Sequence, residues 1–133
     1  FINIEFHFQT KAIIFNQKWE ILVQKRSDTD KWDLIWWWTK IPERIENAII
    51  REIKEETGIE DIKNLKIIHL ESNFSLEENR YFVLSIFTGE TNSSTSIISK
   101  EHNDYMRITK DKLFSIWLTD YLQKSLENVT NLF

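Results

Sequence analysis

"REIKEETGI", residues 51–59, carries three glutamates, Glu52, Glu55 and Glu56, at positions i, i+3 and i+4. In a helix this spacing brings the three carboxylates close together. Carboxylates held this close repel one another unless a cation neutralises them, and hard cations such as Mg²⁺ prefer oxygen ligands. The stretch therefore predicts a helix with an acidic, metal-binding face. Taken alone, however, E-x-x-E-E is also typical of a solvated helix face.

The helix is predicted over residues 43–57, with Pro42 at its entrance and Gly58 as its C-terminal cap. Its apolar residues recur at helical spacing and form one stripe: Ile45, Ala48, Ile49 and Ile53. We expect this stripe on the side of the helix opposite the acidic residues, so that the acidic face points out of the core into a cleft. Arg51 is placed to pair with one of these carboxylates or with Glu43.

Strands are predicted on both sides of this helix, at residues 11–15, 20–25, 65–70, 81–88 and 105–108. A second helix is expected to close the chain. The tight turn between the first two strands ends on Trp19, where glycine is expected because such turns need a positive φ. Strands around a central helix predict mixed α/β layers.

The stretch resembles the signature of the Nudix hydrolases, G-x5-E-x7-R-E-U-x-E-E-x-G-U, in which U is a bulky aliphatic residue. Every specified position agrees except the first glycine, which falls on Trp37; the matching residues are Glu43, Arg51, Glu52, Ile53, Glu55, Glu56, Gly58 and Ile59. "KAIIFNQKWEILVQKRS" and "KWDLI" resemble the strands that precede this signature, and "EHNDYMRITKDKL" resembles a later segment of the family.

The resemblance implies a single domain over residues 1–133, an α/β (α+β) protein with a three-layer α/β/α sandwich around a mixed sheet. It implies hydrolysis, with Mg²⁺ or Mn²⁺, of the pyrophosphate bond in a nucleoside diphosphate linked to another group. The partner expected is a nucleotide-type small molecule that the sequence does not name. Because dimers are common in the family, a homodimer stays open.

By resemblance, Glu52, Glu55 and Glu56 are metal ligands, and Glu43 and Arg51 orient them. The alternative for Glu43 and Arg51 is an ordinary helix ion pair, worth little at a surface. Glu101 matches the place where many members carry a general base. An ordinary carboxylate in a loop is the alternative, and the sequence favours neither. Arg26 is interpreted as a contact to substrate phosphate, with a solvated strand end as the alternative.

Three tryptophans, Trp36, Trp37 and Trp38, stand where the family bends tightly through a glycine-rich loop into the helix. A positive φ would strain them there, by roughly 1–2 kcal/mol per residue. Either they are genuine and the site is degenerate, or they are genuine and stack on a base, or they and Trp19 are glycines misread at UGA codons. The chain holds 6 Trp and 2 Gly, which favours misreading as a hypothesis. UGG at codons 36–38 of the source gene would exclude it.

The formal net charge of −4 argues against a nucleic-acid polymer as partner. The chain lacks cysteine, a membrane-spanning apolar run and a visible signal peptide, and we expect a cytoplasmic protein. Two other functions compete with hydrolysis. A degenerate module of the same fold would bind nucleotide or protein if the tryptophans are genuine. The isoprenoid isomerase branch typically uses a catalytic cysteine, which this chain does not have.

Overall fold

The computed structural model describes residues 3–26, 28–39, 43–93 and 105–113. Within them, six strands and two helices form in the order β1 (Glu5–Phe15), β2 (Glu20–Lys25), β3 (Trp32–Trp38), α1 (Ile45–Thr57), β4 (Lys63–Ser75), β5 (Arg80–Glu90), β6 (Tyr105–Thr109) and α2 (Lys110–Leu113). No helix in this part of the chain has the length and apolar character that crossing a membrane requires.

The six strands form one mixed sheet in the order β4-β5-β1-β3-β2-β6. β1 runs parallel to β5, and the other neighbouring strands are antiparallel. β1 lies inside the sheet, and its second half, KAIIF, is buried along its whole length. A strand covered on both faces is typically a continuous apolar run rather than an alternating one, which is the pattern of this segment.

Each face of the sheet carries its own apolar cluster. On one face, Ile49 and Ile53 of α1 pack with Ala12 and Ile14 of β1. The other cluster contains Ile13, Phe15, Ile21, Val23, Leu34, Leu84, Ile86, Ile108 and Leu113, the last from α2. The predicted α/β class with a mixed sheet is confirmed. A helix was expected after the strand at residues 105–108; α2 begins there at Lys110, and the residues beyond 113 lie outside the described part of the chain.

Two strands are longer than their apolar patterns predicted. β4 was expected to end at residue 70 but continues to Ser75, and β1 begins at Glu5 rather than at residue 11. The added stretches pair with β5 over registers such as Phe74↔Tyr81 and His7↔Phe82. Pairing with β5 keeps these polar and aromatic residues in an extended conformation. The apolar pattern does not continue into these stretches, so it did not predict them as strand.

The helix begins later than residue 43, because Arg44 keeps an extended backbone, with φ −71° and ψ 140°, as its N-cap. Pro42 lies outside the described residues. The predicted C-terminal cap is confirmed: Gly58 has φ 78°, and its N–H donates to the Lys54 carbonyl at 2.8 Å. Glycine adopts this left-handed conformation without a Cβ clash.

The expectation that Trp36, Trp37 and Trp38 lie in a loop under positive φ is wrong. All three belong to the end of β3, where Trp36 pairs with Lys11 and Trp38 with Gln9. None of them has a positive φ. β-sheet pairing with β1 gives the tryptophans an extended backbone, which aromatic residues favour.

Trp19 does have a positive φ, 58°, at the end of the β1–β2 turn. We predict that Trp19→Gly is more stable than Trp19→Ala by about 1 kcal/mol, because both remove the indole and only glycine relieves the left-handed conformation. Both variants also lose the contact with Phe15, whose ring centroid lies 5.5 Å from that of Trp19. Urea denaturation measures the difference, and an alanine variant as stable as the glycine variant would contradict it.

Candidate active site

The acidic residues of α1 adjoin its apolar stripe, which corrects the expectation that the two lie on opposite sides. Glu56 follows Ile49 by seven residues, nearly two full turns, so both side chains point the same way. One carboxylate oxygen of Glu56 is buried, and the side chain of Glu52 is 14% exposed. Glu55 is exposed. The carboxylates therefore line the border between the core and solvent.

Arg51 is the hub of this cluster. Its guanidinium donates two hydrogen bonds to Glu43, from Nη2 at 2.8 Å and from Nε at 3.0 Å. Nη1 donates to both oxygens of Glu55, at 3.0 and 3.2 Å, and lies 3.1 Å from Glu52. The hydrogen bonds to Glu43 are the largest cause of a raised pKa at Arg51. The bidentate pairing with Glu43 fixes the direction of that carboxylate.

Burial raises the pKa of Glu52 above its ordinary value of 4.5. Attraction to Arg51 lowers the pKa, but repulsion from Glu55 and Glu56 adds to the effect of burial. The guanidinium of Arg51 therefore does not fully offset the effects of burial and of the neighbouring carboxylates on the ionised form of Glu52. A carboxylate in this state gains from a further cation.

We predict that Glu52→Gln raises the urea midpoint of unfolding at about pH 7 and leaves it unchanged at about pH 4. Because the folded-state pKa of Glu52 is raised, the native state holds the proton more tightly than the unfolded chain. Stability is then lost as pH rises from 4.5 through the folded-state pKa. Glu46→Gln, at an exposed position of α1, is the matched control. An equal gain at both pH values would contradict the assignment.

The donor chemistry of the cluster fits a divalent metal ion, since carboxylate oxygens suit Mg²⁺ and Mn²⁺. In the conformation that the described residues adopt, no three acidic or histidine side chains come together closely enough to hold a metal ion. Arg51 instead engages Glu52 and Glu55. A metal ion bound at this face would therefore compete with Arg51 for carboxylate oxygens.

A buried ion pair joins β1 to β3. Lys11 Nζ donates to both carboxylate oxygens of Asp33, at 2.8 and 3.0 Å, and the two side chains are 2% and 1% exposed. Burial lowers the pKa of Lys11, and Asp33 opposes that shift. Asp33 also accepts the backbone N–H of Leu34 at 2.7 Å. This pair was not predicted, because its only signal in the sequence is one charged residue within each of the apolar runs KAIIF and WDLI.

The Trp36 indole contacts two cations. Lys11 Nζ lies 5.7 Å from the ring centroid, and the guanidinium carbon of Arg26 lies 5.6 Å from it. Arg26 also donates to Asp28, from Nη2 at 2.8 Å and from Nε at 3.0 Å. The predicted phosphate-binding Arg26 is thus engaged by a carboxylate and an indole. A phosphate at Arg26 would meet both of these neighbours.

The other two tryptophans, Trp37 and Trp38, differ in burial. Trp37 is buried in the cluster beneath α1, and its indole N–H finds no hydrogen-bond partner within the described part of the chain. Trp38 is 45% exposed and packs edge-on to Trp36 and His7. A buried indole N–H without an acceptor costs stability. The Trp37 ring therefore packs in the core while its indole N–H makes no hydrogen bond to the described residues.

The structure thus brings Glu43, Arg51, Glu52 and Glu55 into one hydrogen-bonded and ion-paired group, with Glu56 one turn beyond Glu52 on the same helix. Arg26 lies at the end of β2, in contact with Trp36 rather than in this group. Glu101, the predicted general base, lies outside the described residues.

The sequence profile of the NUDIX domain matches residues 5–123. No curated protein matches the chain in sequence. Among solved structures, the MutT protein from Methanosarcina mazei Go1 is 25% identical, with 96% of this chain and 94% of that chain covered and a TM-score of 0.75. The MutT NUDIX hydrolase from Burkholderia pseudomallei is 22% identical, with 95% and 99% covered and a TM-score of 0.73. The NUDIX domain of Shewanella oneidensis NrtR, solved with ADP ribose, is 15% identical, with 95% and 86% covered and a TM-score of 0.72.

Proposed function

Because the chain belongs to the Nudix family and is a hydrolase acting on phosphorus anhydrides, we propose that it cleaves a nucleoside diphosphate linked to another group, with Mg²⁺ or Mn²⁺. The observation that carries the proposal is the group of carboxylates around Arg51, which hydrogen-bonds to Glu43 and Glu55 and lies 3.1 Å from Glu52, whose pKa is raised by burial. Crowded carboxylates that an arginine only partly neutralises suit a cation-dependent reaction.

In this proposal Glu52, Glu55 and Glu56 hold the metal ion. When bound, the ion supplies charge neutralisation at the diphosphate and lowers the pKa of a bound water. Arg51 fixes the rotamer of Glu43 through two hydrogen bonds, and its hydrogen bonds to Glu55 would give way to the ion. The side chain of Glu52, 14% exposed, is the part of this group closest to the core.

Two further roles in the proposal lie outside α1. Arg26 binds a substrate phosphate, which requires its guanidinium to leave Asp28 or to use its remaining donors. Glu101 accepts the proton of the attacking water, a role that rests on the resemblance alone. The net charge of −4 supports a small nucleotide rather than a nucleic-acid polymer as substrate.

The tryptophans favour a second candidate function, a module that binds nucleotide without cleaving it. The Trp36 ring is fixed by two cations, Lys11 and Arg26, which lie 5.7 and 5.6 Å from its centroid. An exposed Trp38 also offers a ring face for stacking. If residues 36–38 are glycine in the natural protein, both rings are absent and neither observation supports the binding module.

The experiment that tests both functions compares the chain as written with the variant Trp36→Gly, Trp37→Gly, Trp38→Gly. Each is assayed with Mg²⁺ against nucleoside triphosphates, ADP-ribose, a dinucleoside polyphosphate and a nucleotide sugar. For each of the two proteins, a version with Glu56→Gln added serves as the background control. Circular dichroism verifies that all four proteins are folded.

Turnover by the glycine variant alone supports the hydrolase and assigns the loss of activity to the tryptophans. Turnover by both proteins supports the hydrolase with tryptophans that do not block the site. If both proteins are folded and neither exceeds its Glu56→Gln control, hydrolysis of these substrates is excluded, and binding of the same compounds then tests the module.

A further inference from the structure

An apolar surface lies on the sheet beyond the part that α1 covers. Its most exposed members are Phe6, Ile67, Leu70 and Phe74, at 60%, 52%, 64% and 42% exposure. Phe6 and Phe74 both lie level with Tyr81 of β5, and the Phe6 and Tyr81 ring centroids are 5.8 Å apart. We call this surface the β4 face. Contiguous exposed apolar side chains of this kind mark interaction sites.

The β4 face continues to an open sheet edge. β4 is 13 residues long and is the outermost strand next to β5, and no other described strand pairs with it. A long edge strand exposes a row of unpaired backbone N–H and C=O groups, which template pairing with another strand. The face and the edge together suit a partner that offers both a strand and apolar side chains.

The charges along β4 select the direction of such a partner strand. Lys63 and Lys66 stand in its first half, Glu71 stands in its second half, and Glu77 and Glu78 follow in the turn. An antiparallel copy of β4 would bring the basic half of each strand against the acidic half of the other. A parallel copy would oppose like charges, which destabilises cross-strand pairs.

β4 has two register irregularities against β5, one between Lys63 and Lys66 and one between Ile67 and His69, and the second determines which side chains share a face. Ile67 pairs with Phe87 and His69 with Ile86, so Ile68 is the extra residue of a bulge. Ile67 and Leu70 consequently share one face, and Lys66 and Glu71 share the other. We propose that β4 pairs antiparallel with β4 of a second copy, with Lys66 opposite Glu71 of the partner subunit and Ile67 opposite Leu70 of the partner subunit.

This register places both apolar pairs on the β4 face and both charged pairs on the opposite face. Glu71 also lies 3.5 Å from His69 Nε2 within its own strand. The described strands of the two copies then form one continuous sheet, and the two β4 faces adjoin each other. The proposal concerns an edge of the sheet away from α1, so it stands or falls independently of hydrolysis.

The test is a charge swap read by analytical ultracentrifugation. The chain as written should sediment as a dimer of 32.2 kDa, twice its 16.1 kDa. Lys66→Glu and Glu71→Lys should each weaken dimerisation by about tenfold, because each puts like charges opposite one another twice in the symmetric interface. The double variant restores both pairs and should restore the dimer.

Leu70→Lys should abolish the dimer. The control is Leu76→Lys, in the turn after β4, where the leucine is 86% exposed, and this variant should remain dimeric. Both positions are exposed, so neither substitution should disturb the fold. A monomeric native chain, an assembly larger than a dimer, or a double variant as weak as the single ones would each overturn the proposal.

Discussion

Glu56→Gln is expected to lower kcat by about a hundredfold or more while leaving the protein folded. Glu56 lies in line with Ile49 on α1, with one carboxylate oxygen buried at the edge of the core. Glutamine keeps the shape of this side chain and removes the charge that a cation requires. The same substitution should weaken Mn²⁺ binding, measured by isothermal titration calorimetry, because it removes one proposed ligand.

The matched control is Glu46→Gln, an exposed position in the first turn of the same helix. Both variants are made in a background that turns over, either the chain as written or the variant with glycine at residues 36–38. Unchanged kcat and unchanged Mn²⁺ affinity in Glu56→Gln would remove Glu56 from the proposed metal ligands. A loss shared with Glu46→Gln would indicate a general effect of charge on α1.

The parts of the site that follow from local spacing could be predicted from the sequence. Positions 51 and 55 are one turn apart, so an Arg51–Glu55 contact follows from helix geometry alone. Gly58 as a left-handed cap follows from its place after the last apolar residue, and its φ of 78° confirms it. The pairing of Arg51 with Glu43 was predicted as one of its alternatives and is observed.

The parts that depend on tertiary pairing could not be predicted in this way. The extended backbone at Trp36 and Trp37 comes from their pairing with Lys11 and Thr10 of β1. The half-buried state of Glu52 depends on what packs beside α1, which apolar spacing does not specify. The ion pair between Lys11 and Asp33 joins two strands whose pairing partners only the folded sheet defines.

Lys11→Met is expected to destabilise the fold by about 3–5 kcal/mol, the largest stability effect of any substitution considered. Methionine retains the length and apolar stem of lysine, so little packing is lost. Asp33 is 1% exposed, however, and would keep a buried carboxylate without its ammonium partner. Lys18→Met, in the exposed turn between β1 and β2, is the control for the change of residue type.

A double-mutant cycle with Asp33→Asn separates the charge from the packing. Asparagine retains an oxygen that can accept the Leu34 N–H, now made at 2.7 Å. Asp33→Asn alone should cost less than Lys11→Met, because burial already lowers the pKa of Lys11 and an unpaired lysine can lose its proton. The double variant should recover most of the loss, since no buried charge remains. Urea unfolding measures all four proteins, and a Lys11→Met cost below about 1 kcal/mol would show that water reaches Asp33 in the folded state.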